Sequence, residues 1–259
     1  MLYINSKLMV MKIPKLITLI LFTTIISNLS AQEDDDRSFR FGLHFSPNVS
    51  WMNASSDGYE KNGPRIGFTY GLSTEFFLAK NYLFSTGFSL SSLGGNLSYS
   101  GVYHDEINNV FIPRNIDQSY NLKYVEIPLS LKLRTNEIGY LTYYGNFGFR
   151  TGINYGAKGD FDYKNQTNSK NDQSIKSDIS LFNMWLIVGI GAEYSISGNT
   201  AIMFGLTFNN GFINTLNNKV HELDANGNAV LNLDGTPAFK SKKANATLNY
   251  FSLDLGIYF

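Results

Sequence analysis

Cysteine is absent from the 259 residues, which excludes a disulfide framework, a thiolate zinc site, an iron–sulfur cluster, a cysteine nucleophile and a lipidated N-terminal cysteine. Charge is scarce as well. Asp, Glu, Lys and Arg make up 16% of the chain, against roughly 25% in soluble globular domains, so much of the ionic coat of a soluble surface is missing. Neither sign is in excess, with 21 basic and 21 acidic side chains, and a chain without a basic field is a poor nucleic-acid binder. Past the N-terminal segment the longest apolar run, Met184 to Ala192, already contains two glycines, so no helical membrane span is expected. What is abundant is aromatic and small: 20 Phe, 16 Tyr and 23 Gly.

The first residues read as an address. Lys7, Lys12 and Lys15 precede an apolar run, Leu16 to Ile26, followed by Ser27-Asn28-Leu29-Ser30-Ala31 and the polar Gln32 to Asp36. This is the layout of a secretory signal peptide, and its apolar part is shorter than the ~20 residues of a spanning helix. Cleavage is expected after Ala31, which leaves a short polar segment, 32–37, and one domain, 38–259. An uncleaved anchor helix is the alternative. Loss of the three lysines makes the remainder mildly acidic.

From Ser38 onward the chain alternates with period two, the signature of strands. Phe39, Phe41, Leu43, Phe45, Val49 and Trp51 form one side of the first segment, with Arg40, Gly42, His44 and Ser46 on the other. The pattern recurs at Ile66 to Leu78, Tyr82 to Leu90, Val125 to Arg134, Leu141 to Ile153, Phe182 to Tyr194, Ile202 to Phe208 and Phe251 to Phe259. Connections near Ala79-Lys80-Asn81, Thr135 to Gly139 and Ser197-Gly198-Asn199 are short. Those at 53–64, 100–119, 156–178 and 213–246 are long and polar, and short and long alternate strictly. Eight strands so connected predict an all-β, eight-stranded, antiparallel, up-and-down transmembrane β-barrel, with short periplasmic turns, long outer loops and both termini on the periplasmic side.

A soluble barrel also alternates, so the composition of the faces has to choose between them. The apolar face carries large Phe, Tyr, Leu and Ile side chains and no Asp, Glu, Lys or Arg, whereas the opposite face is dominated by Gly, Ser and Thr. Small residues suit a narrow interior and large apolar ones suit lipid. The charges on the small-residue face are Arg40, Arg65, Glu75, Glu126, Lys132, Arg134, Arg150, Glu193 and Asp254, and they are expected to pair inside the bore as a structural cluster. Strand direction puts Arg40, Glu75, Lys132, Arg134, Glu193 and Asp254 in the periplasmic half, and Arg65, Arg150 and Arg40 are candidate partners for Glu126. A gate or proton path is the functional alternative. An eight-stranded bore is filled by side chains, which disfavours a diffusion pore.

The last segment, Phe251, Leu253, Leu255, Ile257 and Phe259 at alternate positions, resembles the terminal strand that barrel-assembly machinery reads. Catalytic vocabulary is thin. Of three histidines, His44 points into the lumen as a hydrogen-bonding residue, and His104-Asp105 and His221-Glu222 fall in outer loops. Asp224 to Asn228 departs from a calcium loop, whose twelfth position would be Gly235, so Asn226-Gly227 and Asp234-Gly235 are read as turn pairs of a small outer hairpin. No catalytic residue, metal site or cofactor is expected.

Phe41-Gly42-Leu43-His44-Phe45-Ser46-Pro47-Asn48, the central Leu122-Lys123-Tyr124-Val125-Glu126-Ile127-Pro128-Leu129-Ser130-Leu131-Lys132 and the closing Leu255-Gly256-Ile257-Tyr258-Phe259 resemble the PorT-type outer-membrane β-barrel family of Bacteroidetes. Tyr-x-Glu-Ile-Pro-Leu is the most specific of these motifs. The resemblance implies an exported barrel of the cell outer membrane, surrounded by lipid and inserted by the assembly machinery. For the family's namesake it implies a part in a type IX secretion complex. Residues alone favour a non-enzymatic anchor, accessory or interaction scaffold acting through the outer loops, with a secretion-complex subunit and a lipid-modifying barrel enzyme as alternatives.

Overall fold

The computed structural model describes residues 38–164 and 169–259. The expected signal segment, 1–31, and the polar segment, 32–37, lie outside the described residues. In chain order the strands are β1 (Phe39–Ala54), β2 (Tyr59–Lys61), β3 (Arg65–Ala79), β4 (Tyr82–Asp105), β5 (Val110–Arg134), β6 (Leu141–Tyr163), β7 (Lys170–Ser174), β8 (Phe182–Ser197), β9 (Thr200–Gly211), β10 (Lys219–His221), β11 (Phe239–Lys243) and β12 (Ala246–Tyr258). The eight predicted segments are β1, β3, β4, β5, β6, β8, β9 and β12. Each pairs antiparallel with its sequence neighbour in that series, and β1 pairs with β12 from Gly42↔Tyr258 to Ala54↔Ala246, which closes the ring. Closure leaves the ring no open sheet edge, the condition a strand structure must meet in hydrocarbon.

The period-two pattern sets the faces. Phe45, Phe68, Leu129, Phe147, Ile190 and Leu206 point out of the barrel and are exposed, while the residues between them are mostly buried. Three tight turns join strands at one end, two of them using the left-handed Gly139 (φ 68°) and Gly198 (φ 55°), a backbone region glycine enters without steric cost. All the longer connections leave from the other end.

Those connections depart from expectation. The stretch 100–119 is not a polar loop: β4 runs for 24 residues and β5 for 25, paired out to Asp105↔Val110, so the barrel strands continue past the wall as a hairpin. β6 extends likewise for 23 residues, flanked by β7, and β2 adds to β4. Polarity misled the reading because a strand standing clear of lipid needs no apolar face. Its polar side chains pair across strands instead, as Ser98 Oγ donates to Asp117 Oδ1 at 2.5 Å and Ser100 Oγ to Asn115 Oδ1 at 3.1 Å. In 213–246, β10 pairs with β11. The two glycine turns are successive tight turns rather than one hairpin tip: Gly227 N donates to Asp224 O and Gly235 N to Asn232 O, with φ of 81° and 80°.

The interior is also fuller than a Gly/Ser/Thr lining implies. Toward the loop end Met52, Leu93, Leu97, Tyr120, Leu122 and Trp185 form one buried apolar cluster with Ile175, Ile179, Leu216 and Val220 from the connections. Glycine makes this filling possible. A Cβ on Gly152 would stand 2.7 Å from the Trp185 ring, and one on Gly205 2.3 Å from the Tyr144 hydroxyl, so the bare backbone at these positions is where the aromatic rings lie.

Candidate functional site: ion-pair clusters inside a closed barrel

Arg40 on β1 and Glu75 on β3 are directly opposite in register, and around them the turn end of the bore is closed by charge. Arg40 donates to Glu75 Oε2 through Nε at 2.8 Å and Nη2 at 2.6 Å, and reaches Glu193 Oε1 on β8 at 2.5 Å. Lys132 Nζ on β5 bridges the same carboxylates, at 2.8 Å to Glu75 and 2.6 Å to Glu193. Arg134 Nη2 holds the second Glu193 oxygen at 2.9 Å. Aromatic groups from β12 and β6 complete the floor. The Tyr258 hydroxyl donates to Glu75 Oε1 at 2.8 Å, its ring lies 4.2 Å from the Arg40 guanidinium, and the Tyr144 ring lies 4.1 Å from Lys132 Nζ. Glu75 and Glu193 thus each meet at least two cations, the arrangement that offsets the cost of taking ions out of water.

A second cluster lies farther toward the loop end. Glu126 is fully buried. Arg150 Nη1 donates to its Oε2 at 3.1 Å and to the Tyr250 hydroxyl at 2.7 Å. Of the three candidate partners, Arg150 holds Glu126. Arg40 belongs to the floor, and Arg65, opposite Ser50 near the loop end of β3, makes no ion pair among the described residues. Sequence order could not separate them, because depth in the bore depends on the stagger between strands. Asp254, expected in the periplasmic half, makes none of the floor's ion pairs and accepts from Thr207 Oγ1 at 2.5 Å. It lines a mid-bore cavity of about 70 Å3 with His44, Asn146 and Arg150, room for a few waters at most. His44 is hydrogen-bonded between Ser73 and Ser89 at 2.9 and 3.1 Å.

Tyr144, Tyr250, Tyr258 and Trp185 were not singled out from sequence. The signal was present: each occupies an inward position of its alternating segment, as Tyr258 does between Ile257 and Phe259. Near the outer end of β4, His104 bonds Asn109 at 3.1 Å, stacks on Phe111 and is half-buried. Asp105 caps the hairpin tip through the amides of Ile107 and Asn108, and its carboxyl is held below the usual range chiefly by the Asn108 side chain. His221 packs against Phe239, and burial holds its imidazole below the ordinary value. Phe251, Leu253 and Phe259 are exposed on the outer face of β12 and its end, with Phe259 N donating to Phe41 O at 2.8 Å. No group of three or more acidic or histidine side chains with metal-binding geometry occurs among the described residues.

A family profile described as an outer membrane protein beta-barrel domain matches residues 30–217. The chain belongs to this family. The barrel is therefore an outer-membrane one, with its short-turn end on the periplasmic side and its hairpins outward. Solved structures that resemble it include Neisserial surface protein A, at 12% identity and a TM-score of 0.41 over 84% of this chain and 95% of that one. Ail, the attachment invasion locus protein of Yersinia pestis, matches at 14% and 0.37 over 86% and 100%. The outer membrane protease OmpT from Escherichia coli matches at 10% and 0.37 over 89% and 99%. No curated protein sequence matches the chain.

Proposed function

We propose that this family member is a non-enzymatic outer-membrane barrel, exported through cleavage of segment 1–31, that anchors and presents its outward hairpins as an interaction scaffold. The observation that carries the reading is a bore closed at both ends, by the Arg40–Glu75–Lys132–Glu193 floor and by the apolar cluster around Trp185, beneath strands that continue outward as an ordered wall. Structural investment lies in the fill and in the wall. His104, beside Asp105, has its ring nitrogen on Asn109 rather than on a nucleophile, which supports a scaffold over a lipid-modifying enzyme.

Affinity purification from detergent-solubilised outer membranes tests the proposal. A barrel recovered alone, or with a surface ligand on its hairpins, supports it. A stoichiometric set of secretion subunits favours the PorT-type reading instead. An altered lipid composition on deletion of the protein favours the enzyme.

A further inference from the structure

At the periplasmic rim, the β3–β4 turn and the end of β5 enclose a cavity of about 330 Å3 lined by Ala79, Lys80, Asn81, Tyr82, Leu133 and Arg134. Two kinds of group meet there. Tyr82 and Leu133, paired in register, both face outward and are exposed, so in the membrane they border acyl chains. Lys80 makes no ion pair among the described residues. Arg134 spends Nη2 on Glu193 at 2.9 Å, while its Nε is buried without a partner. The other two periplasmic turns carry no cation: 135–140 contains Glu137, and 197–199 is uncharged.

We propose that this notch binds one anionic glycerophospholipid of the periplasmic leaflet. Its phosphodiester sits against the Lys80 ammonium within reach of Arg134, and its acyl chain follows Leu133 and Tyr82 along the wall. The chemistry matches at each level. An aromatic ring is at home at the headgroup boundary, a lysine snorkels to that boundary with its stem on apolar surface, and a cation near the membrane surface attracts anionic lipid. Among the described residues the charged groups at the notch are Lys80 and Arg134, with Glu193 already held on the lumen side. Net charge in the notch is positive, which selects an anionic headgroup over a zwitterionic one.

Native mass spectrometry of the full barrel released from detergent, with phosphatidylglycerol or phosphatidylcholine of the same acyl chains added, reads this directly. Phosphatidylglycerol is expected to remain on the wild-type barrel severalfold more than phosphatidylcholine. Lys80→Gln, in an exposed turn, lowers only the phosphatidylglycerol adduct, Lys80→Arg keeps it, and Lys123→Gln, exposed midway along β5 and away from the notch, changes nothing. Equal retention by Lys80→Gln and wild type overturns the proposal. So does an equal loss with Lys123→Gln, which would mean diffuse attraction. Displacement of the lipid by inorganic phosphate would make the notch an anion site and also overturn the lipid assignment.

Discussion

Glu126 shows what one carboxylate costs and gains in this interior. Its partner Arg150 is the cation it has, so truncating one strands the other. Glu126→Leu is expected to destabilise the barrel by about 3–5 kcal/mol, and adding Arg150→Met to recover most of that, since a whole pair is replaced far more cheaply than half of one. Urea unfolding in detergent micelles reads both. Leu129→Ile, on the lipid face, is the control, expected to cost less than about 1.5 kcal/mol. Negligible and equal effects at Glu126 and Leu129 would place strand β5 one residue out of register, because a slip of one exchanges the faces. Gly152 makes a second case. A methyl there would overlap the Trp185 ring, and that ring cannot retreat freely because its Nε1 donates to Leu248 O at 2.8 Å. Gly152→Ala is expected to cost about 1–3 kcal/mol, the range for overpacking, seen as a lower temperature for loss of heat-modifiable gel migration.

At the scale of elements, what the sequence conveyed was the wall, and what it hid was the stagger. Alternation assigns each residue to a face, so all eight ring strands and the inward charges at Arg40, Glu75 and Lys132 can be read directly. It says nothing of where a strand stops once the lipid stops, which is why β4 and β5 extend through a segment whose Ser, Asn and Asp content suggests a loop. Limited proteolysis of intact cells separates the two descriptions. Cleavage is expected at the tip, Glu106 to Asn109, with 96–105 and 110–120 protected, and cuts spread evenly through 100–119 would contradict a continuous hairpin. The β10–β11 hairpin should respond to acid. His221 is held below its ordinary value of about 6.5, so the unfolded hairpin binds the extra proton. The stabilisation is therefore complete above that value and declines as pH falls through it. Amide exchange at Val220 and Lys240 is expected to quicken, beyond its intrinsic rate, between neutral pH and about pH 5.

For the whole molecule, a filled bore predicts electrical silence. Reconstituted in planar bilayers, the protein should show no steady conductance above that of bare lipid. A persistent open channel would mean that the ionic floor and the apolar cluster part together. The two closures differ in how they were reached from sequence. The floor follows from inward charges, but the outer closure draws Ile175, Ile179, Leu216 and Val220 out of connections that have no periodicity, so their common destination is set by tertiary packing alone.

The unequal strands have a mechanical consequence. Because β4 and β5 are paired without a break in direction from the periplasmic turn, at Tyr82↔Leu133, to the tip, at Asp105↔Val110, a force applied at Ile107 runs parallel to the strands. The two strands are drawn together, and the load passes to the seams of β4 with β3 and of β5 with β6, whose hydrogen bonds share it side by side, in shear, instead of opening one after another as in a zipper. Traction on the hairpin tip is delivered to the barrel wall, and through it to the bilayer, with little compliance in between.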